Sequence, residues 1–464
     1  MRLRLTGATC VLPGEIARTD LILDTETRRI AHVGVPAGAR IDETLDLTGC
    51  HIFPGVIDDQ VHLREPGLTH KEDLASGTRA AVRGGVTSVF DMPNVVPAST
   101  TLAALDARAA RAAETACANV AFYIGATPHN LADLQEAGRD GARRVPGIKI
   151  FMGSSTGDLL VDHQEALEGI FADTTLPITA HCEDEATVRA NRARVTSEAA
   201  AAGRALVPAD HARIRDRAAA VVATRRAFDL ARRHRHRFHL LHVTTAEEVE
   251  ILREVRRDPV LGPLITAEAC VPHLWFDGDD VARVGTRLLQ NPSVKTAADR
   301  EALWRGLEDG ALGIIATDHA PHTAEEKAQP YPDAPSGMPS LERSLALVLT
   351  ALARRRGGAL SDADLLDVAR WTGAAPADAW QVAAKGRIAE GFDADLAIVD
   401  LSARAIVRAA DVVAKAGWSP WAGETLTADV VATFVGGRRA YGQDAAGRDV
   451  FDAAVRGRAV VFER

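Results

Sequence analysis

Eight short apolar, β-branched runs recur between residues 51 and 322, and most end in a side chain able to do chemistry. They read HIFPGVIDDQVHL, GVTSVFDMPN, NVAFYIGAT, GIKIFMGSS, PITAHCEDE, FHLLHVTT, LITAEACVPHL and LGIIATDHAPH. Stretches rich in Ala, Leu and Arg with a helical period lie between most of them, KEDLASGTRAAVRGG among them. Strands that alternate with helices imply parallel strands joined by right-handed crossovers. The first run ends at Gln60 and His62, the second at Asn94, the fifth at His181, the sixth at His242 and the eighth at Asp318, while Lys149 interrupts the fourth. A (β/α)₈ barrel collects the C-terminal ends of all its strands on one face, where its active site is built. An open doubly wound sheet would gather ligands at a single crevice instead. The spread over nearly every strand predicts the barrel.

The flanks read differently. Residues 1–53 carry short alternations such as LILDTETRRIAHVG, and 376–464 return to that style in GRIAEGFDADLAIVDL and VVATFVGGRRAYG. Both patterns predict β hairpins. The expected architecture is α/β, with a barrel over 54–375 and one small β-sandwich assembled from 1–53 and 376–464.

A formal net charge of −9 argues against a nucleic-acid or acidic-membrane footprint. The Arg-rich segment RRAFDLARRHRHRFH is a local exception, and its helical pattern of Ala and Leu predicts a solvated helix face. Five scattered cysteines without a C-x-x-C pair predict reduced thiols in a cytoplasmic protein. The N-terminal MRLRLTGATCVLPGE breaks too early for a signal-peptide core, and no apolar run reaches membrane-spanning length.

His62, His181, His242 and Asp318 offer the nitrogen and oxygen atoms that hold Zn²⁺. A lone histidine at a strand end is more often a hydrogen-bonded structural residue. On strands one, five, six and eight of a barrel, however, the four converge on the axis and favour a metal site. Asp318 can also shuttle a proton. Composition alone makes Lys149 an ion-paired lysine, because an unpaired buried ammonium loses its charge or finds a partner. His273 in CVPHL reads as structural, and Asn291 before a proline is common in turns. The loop FMGSSTGD lacks the phosphate-loop pattern and reads as a wall of the pocket after strand four. Residues 323–340 read as a mobile loop beside the site.

In chain order, HLREPG, DMPN, IKIFMGSSTG, TAHCE, HVTT, QNP, ATDHAPH and PSGMPS resemble the dihydroorotases of the cyclic amidohydrolase superfamily over nearly the whole chain. The resemblance implies one or two Zn²⁺ ions and a Lys149 carboxylated by CO₂ that bridges them. One position would use His62, Asp318 and the carbamate, and the other the carbamate, His181 and His242. Gln60 stands where the family has the first histidine of His-x-His, so the first position is weakened, an amide oxygen being a poorer Zn²⁺ ligand than imidazole. Strand alternation turns the neighbouring Asp59 away from the Gln60 face, and only a bulge or a shift of the strand would bring it back.

Arg64 and Asn94 match residues that grip the carboxylate of dihydroorotate. His322 matches another carboxylate contact, and Asn291 a pyrimidine contact. A guanidinium suits a carboxylate because it gives two parallel hydrogen bonds; the alternative partner for Arg64 is Glu65. The implied reaction is the reversible hydrolysis of L-dihydroorotate to N-carbamoyl-L-aspartate in pyrimidine biosynthesis. Allantoinases and hydantoinases are the alternative enzymes, and they lack the arginine in this motif. A further alternative is a non-catalytic partner of aspartate transcarbamoylase. The resemblance is compatible with a homodimer.

Overall fold

The computed structural model describes residues 1–153, 159–444 and 446–464, so most of the FMGSSTGD loop lies outside the described residues. Eight parallel strands form the barrel: β1 (Val56–Val61), β2 (Val86–Asp91), β3 (Asn119–Phe122, continued by Ile124–Gly125), β4 (Ile148–Phe151), β5 (Ile178–His181), β6 (Phe238–Leu240), β7 (Ile265–Cys270) and β8 (Ile314–Ala316). Each pairs with the next in chain order. The ring closes where Val61 meets His319, with the His62 N–H donating to the His319 carbonyl at 2.7 Å. Val89, Ile148, Ile150, Ile178, Leu240 and Ala267 face outward into the main core beneath the helices. Strand alternation leaves the residues between them to fill the interior.

The helices start where the sequence supplies caps. Asp73 caps Leu74–Arg83, and Thr245 with Glu248 forms a capping box on Ala246–Arg257. In Arg217–His234 the Arg-rich stretch buries Ala227, Phe228, Leu230 and Ala231 while Arg225, Arg232 and Arg233 face water, the solvated face expected. No helix among the described residues is long and apolar enough to cross a membrane.

Both chain ends build the sandwich. A seven-stranded sheet takes Thr9–Leu12, Glu15–Arg18 and His51–Pro54 from the front of the chain and Leu396–Asp400, Asp429–Val435, Arg438–Gln443 and Asp449–Phe451 from the back. The ends join where Pro54 pairs with Leu396 and His51 with Val399. A four-stranded sheet comes wholly from residues 2–46, and Leu5, Leu21, Leu23, Ile52, Ile398 and Phe434 fill the space between the layers.

Two pieces of the 376–464 stretch lie at the barrel instead. Trp380 and Phe462 pack on Phe90 at centroid distances of 6.1 and 5.6 Å, with Ile57 and Tyr123 in the same cluster, and together they close the N-terminal end of the barrel. The chain end runs beside β3: the Val120 N–H donates to Arg458 O at 3.0 Å and the Val460 N–H to Val120 O at 3.2 Å. A β-carbon on Gly457 would stand 1.8 Å from Ala118 O, so only glycine permits this approach.

Strand β1 contains a bulge. Asp58 pairs with Val89 but Val61 with Asp91, which leaves one extra residue on β1. The bulge reverses the alternation, so Ile57 and Asp59 point into the barrel although Val61 points out.

Candidate active site

The residues at the strand ends line one cavity at the C-terminal face: Gln60, His62, Arg64, Lys149, His181, His242, Asn291 and Asp318. Three of them hold positive φ, Arg64 at 65°, His242 at 36° and Asp318 at 47°. Such conformations are costly for these residue types and persist where the surroundings over-determine them.

In one half of the cavity His181 and His242 face each other, with Nδ1 of the first 3.1 Å from Nε2 of the second. This is close to the separation of two nitrogens bound about 2.0–2.1 Å from one ion. Burial holds both imidazoles below their ordinary pKa, so they stay neutral and keep lone pairs. His181 Nε2 lies 2.9 Å from Glu183 Oε2, and Glu183 pairs in turn with Arg215. Burial works to raise the Glu183 carboxyl, but Arg215 and His181 hold it well below the ordinary range. A carboxylate behind a histidine fixes its tautomer and strengthens it as a ligand.

The other half is finished differently. The His62 Nδ1–H donates to Asn94 Oδ1 at 2.8 Å, which leaves the Nε2 lone pair facing Asp318 Oδ1 at 3.3 Å. A cation fits between two such atoms. Gln60 turns its amide nitrogen toward Asp318 Oδ1 at 3.1 Å and its oxygen toward Cys270 Sγ at 3.8 Å. An amide nitrogen has no lone pair for a metal, so Gln60 acts here as a donor to Asp318. Gln290 donates to Asp318 Oδ2 at 3.0 Å. Burial works to raise Asp318, yet the hydrogen bonds and positive charge around it, Gln290 and Lys149 among them, hold it below its ordinary pKa, so it is an anion.

Lys149 is buried, with Nζ 4.5 Å from the centroid of the Phe151 ring and no hydrogen bond or salt bridge among the described residues. Burial pushes its ammonium down to about 8. The ion-paired lysine expected from composition is absent among these residues, and a neutral amine is the form that reacts with CO₂. Two opposed imidazoles, a third imidazole facing a carboxylate, and an amine between them fit a site for Zn²⁺ or a similar ion.

Arg64 is buried at the cavity wall, its Nε donating to Pro321 O at 3.2 Å. It forms no salt bridge among the described residues, and Glu65 pairs with Arg111 at 2.8 Å instead. Burial lowers the guanidinium only to about 10, so it is charged. Asn291 lines the cavity, with Oδ1 3.0 Å from His211 Nε2. Asn94 and His322 are not brought to the cavity lining. Asn94 stands behind His62, and His322 stands behind Arg64 with its Nε2–H on Ser336 O at 3.0 Å and Nδ1 toward Lys71 at 3.1 Å. His273 donates to Pro292 O at 3.0 Å and braces the turn that carries Gln290 and Asn291. The segment 323–340 is anchored: Ala324–Lys327 is helical, Lys327 Nζ reaches Pro335 O at 2.7 Å, and Ser336 and Gly337 line the cavity.

Three residues escaped the sequence reading. Gln290 and Glu183 sit inside the motifs QNP and TAHCE, one beside Asn291 and the other two residues past His181. Glu268 meets Asp59 and His239 under the cavity, where burial pushes the two carboxyls up, to about 8 and about 7, and the imidazole down to about 4.

The chain matches the model of the amidohydrolase family over residues 51–440. A dihydroorotase of Halobacterium salinarum is 35% identical over 415 residues, 87% of this chain and 89% of its own length. A dihydroorotase of Geobacillus kaustophilus is 33% identical over 431 residues, 91% and 95% of the two chains. Among solved structures, the L-hydantoinase (dihydropyrimidinase) of Arthrobacter aurescens superposes with a TM-score of 0.88 at 25% identity, covering 99% of both chains. The chain belongs to the amidohydrolase family. It is an enzyme, a hydrolase of cyclic amides.

Proposed function

We propose that this enzyme is a dihydroorotase, catalysing the reversible hydrolysis of L-dihydroorotate to N-carbamoyl-L-aspartate, with the barrel over 54–375 as its catalytic unit. The observation that carries the substrate is Arg64: a buried, charged guanidinium without an acidic partner among the described residues, on the wall of the cavity. A buried charge left unpaired is costly, and a substrate carboxylate would complete it with two charge-assisted hydrogen bonds. Dihydrouracil and hydantoin rings carry no such carboxylate.

His181, His242 and a carboxylated Lys149 would hold one Zn²⁺, and His62 with Asp318 and the same carbamate a weaker second. Bound there, Zn²⁺ would polarise the ring carbonyl and lower the pKa of water to about 7. Asp318 would take the proton from the attacking water and return it to the leaving ring nitrogen as the bond from N3 to the carbonyl carbon beside C5 breaks. Gln60 and Gln290 hold its two oxygens in register for that transfer. Arg64 and Asn291 would orient the ring, with Asn94 behind His62 and His322 behind Arg64. Acid protonates the carboxylate of the product and favours ring closure.

The test is hydrolysis by the zinc-loaded protein of L-dihydroorotate, allantoin, hydantoin and dihydrouracil in parallel. Selective turnover of dihydroorotate is expected. Turnover of a ring without a carboxylate would move the chain to the hydantoinase reading that its structural neighbour suggests. No turnover of any ring, with metal bound, would remove the catalytic assignment and favour the scaffold role beside aspartate transcarbamoylase.

A further inference from the structure

Beneath the cavity the barrel interior holds a second set of ligand-type side chains that the proposed reaction does not use. Asp59 from the bulged β1, His239 from β6 and Glu268 from β7 are buried and bring one ligand atom each within 4.8 Å of the others. His239 Nε2 lies 3.0 Å from Glu268 Oε2 and 3.6 Å from Asp59 Oδ2. Ligands bound about 2.0–2.2 Å from one ion stand roughly 3.0–3.6 Å apart.

Each of the three is held by a neighbour. Thr266 Oγ1 lies 2.8 Å from His239 Nδ1, the Trp380 Nε1–H donates to Asp59 Oδ2 at 2.6 Å, and the backbone N–H of His242 donates to Glu268 Oε1 at 3.1 Å. Partners of this kind fix ligand orientation in metal sites. With Nδ1 directed to Thr266, Nε2 faces the two carboxyl groups. Asp59 Oδ1, an atom that can only accept when ionised, is sealed from water and has no hydrogen-bond donor. Two carboxyl groups and one imidazole thus share a single dry chamber.

We propose that Asp59, His239 and Glu268 bind a divalent transition-metal cation, Zn²⁺ or Mn²⁺, at a site separate from the catalytic cavity. One imidazole and two carboxylates form a harder ligand set than the opposed imidazoles above, which suits Mn²⁺ as well as Zn²⁺. At the opposite end of the barrel a cleft of about 370 Å³ has His239, Thr266 and Trp380 in its wall. The ion fastens β1 to β6 and β7 directly under Gln60 and His242. The assignment is independent of the substrate reading.

The experiment is diffraction from crystals of the full-length protein soaked in excess Zn²⁺, with anomalous maps above and below the zinc edge, and a parallel set in Mn²⁺. An anomalous peak between Asp59, His239 and Glu268 is expected. Metal analysis in solution should count one equivalent fewer in Asp59→Asn than in the wild type, with the peak at His181 and His242 retained. Absence of an interior peak from wild-type crystals in both metals overturns the proposal and assigns the carboxylates shared protons instead. An undiminished count in a folded Asp59→Asn overturns it as well. If that variant does not fold, the wild-type maps decide alone.

Discussion

The His181–His242 half of the cavity and the His62–Gln60 half differ chiefly in what stands behind each ligand. Behind His181 is a carboxylate, itself fastened by Arg215. Behind His62 is the neutral amide of Asn94, and beside it Gln60 uses its nitrogen to hold Asp318. Charge behind an imidazole strengthens it as a ligand, whereas an amide only positions it. One half therefore offers the stronger ligands to an ion. The other is built to hold a carboxylate still.

The largest expected effect breaks the second half. Asp318→Asn should lower kcat by roughly 10²–10⁴-fold, the usual worth of a general base, while metal analysis still finds the ion at His181 and His242. Near-normal turnover in that variant would take the proton transfer away from Asp318. Next comes Arg64→Met, which removes two charge-assisted bonds worth roughly 1.5–3 kcal/mol each and should cut kcat/KM for dihydroorotate at least about 100-fold. Hydrolysis of dihydrouracil, already slow, should not change; parallel losses on both rings would show that Arg64 supports the fold rather than reading the substrate.

A pair of variants tests the two halves against each other. Glu183→Gln should weaken zinc at the tight position by about 10–100-fold. Gln60→His should strengthen the second equivalent by a similar factor, as competition with a chromogenic chelator would reveal. Equal responses at both positions would erase the contrast. The smallest signal is spectroscopic. In metal-free protein supplied with ¹³C-bicarbonate, the carbamate resonance of Lys149 should rise with pH. The amine is pushed down to about 8, so its neutral fraction grows from near pH 7 and levels off above 9, well below an ordinary lysine. Lys149→Ala should lack the resonance; its persistence there would place the carbamate elsewhere.

The barrel and its cavity were legible because the runs end where strands end, and a strand end is a position in space once the barrel closes. What stayed hidden depended on one-residue events. The bulge in β1 cannot be seen in IDDQVH, yet it turns Asp59 inward and creates the interior trio. Asn94 and His322 match substrate contacts by motif position, and whether a side chain lines a cavity or stands one layer behind is set by rotamer and burial. Trp380 and Phe462 resemble ordinary apolar residues in the sequence, and only the path of the chain end makes them the barrel floor.

That path also sets an order of events during synthesis. His51–Pro54 waits for Leu396–Asp400 to complete its sheet, and β3 waits for residues 458–460 to line its flank. The four-stranded layer from residues 2–46 can form as soon as it leaves the ribosome, but its apolar face lacks Leu396, Ile398 and Phe434 until the far end of the chain arrives. Loss of residues 453–464 would keep every strand of the sandwich but strip Val460 and Phe462 from the barrel floor and the flanking segment from β3.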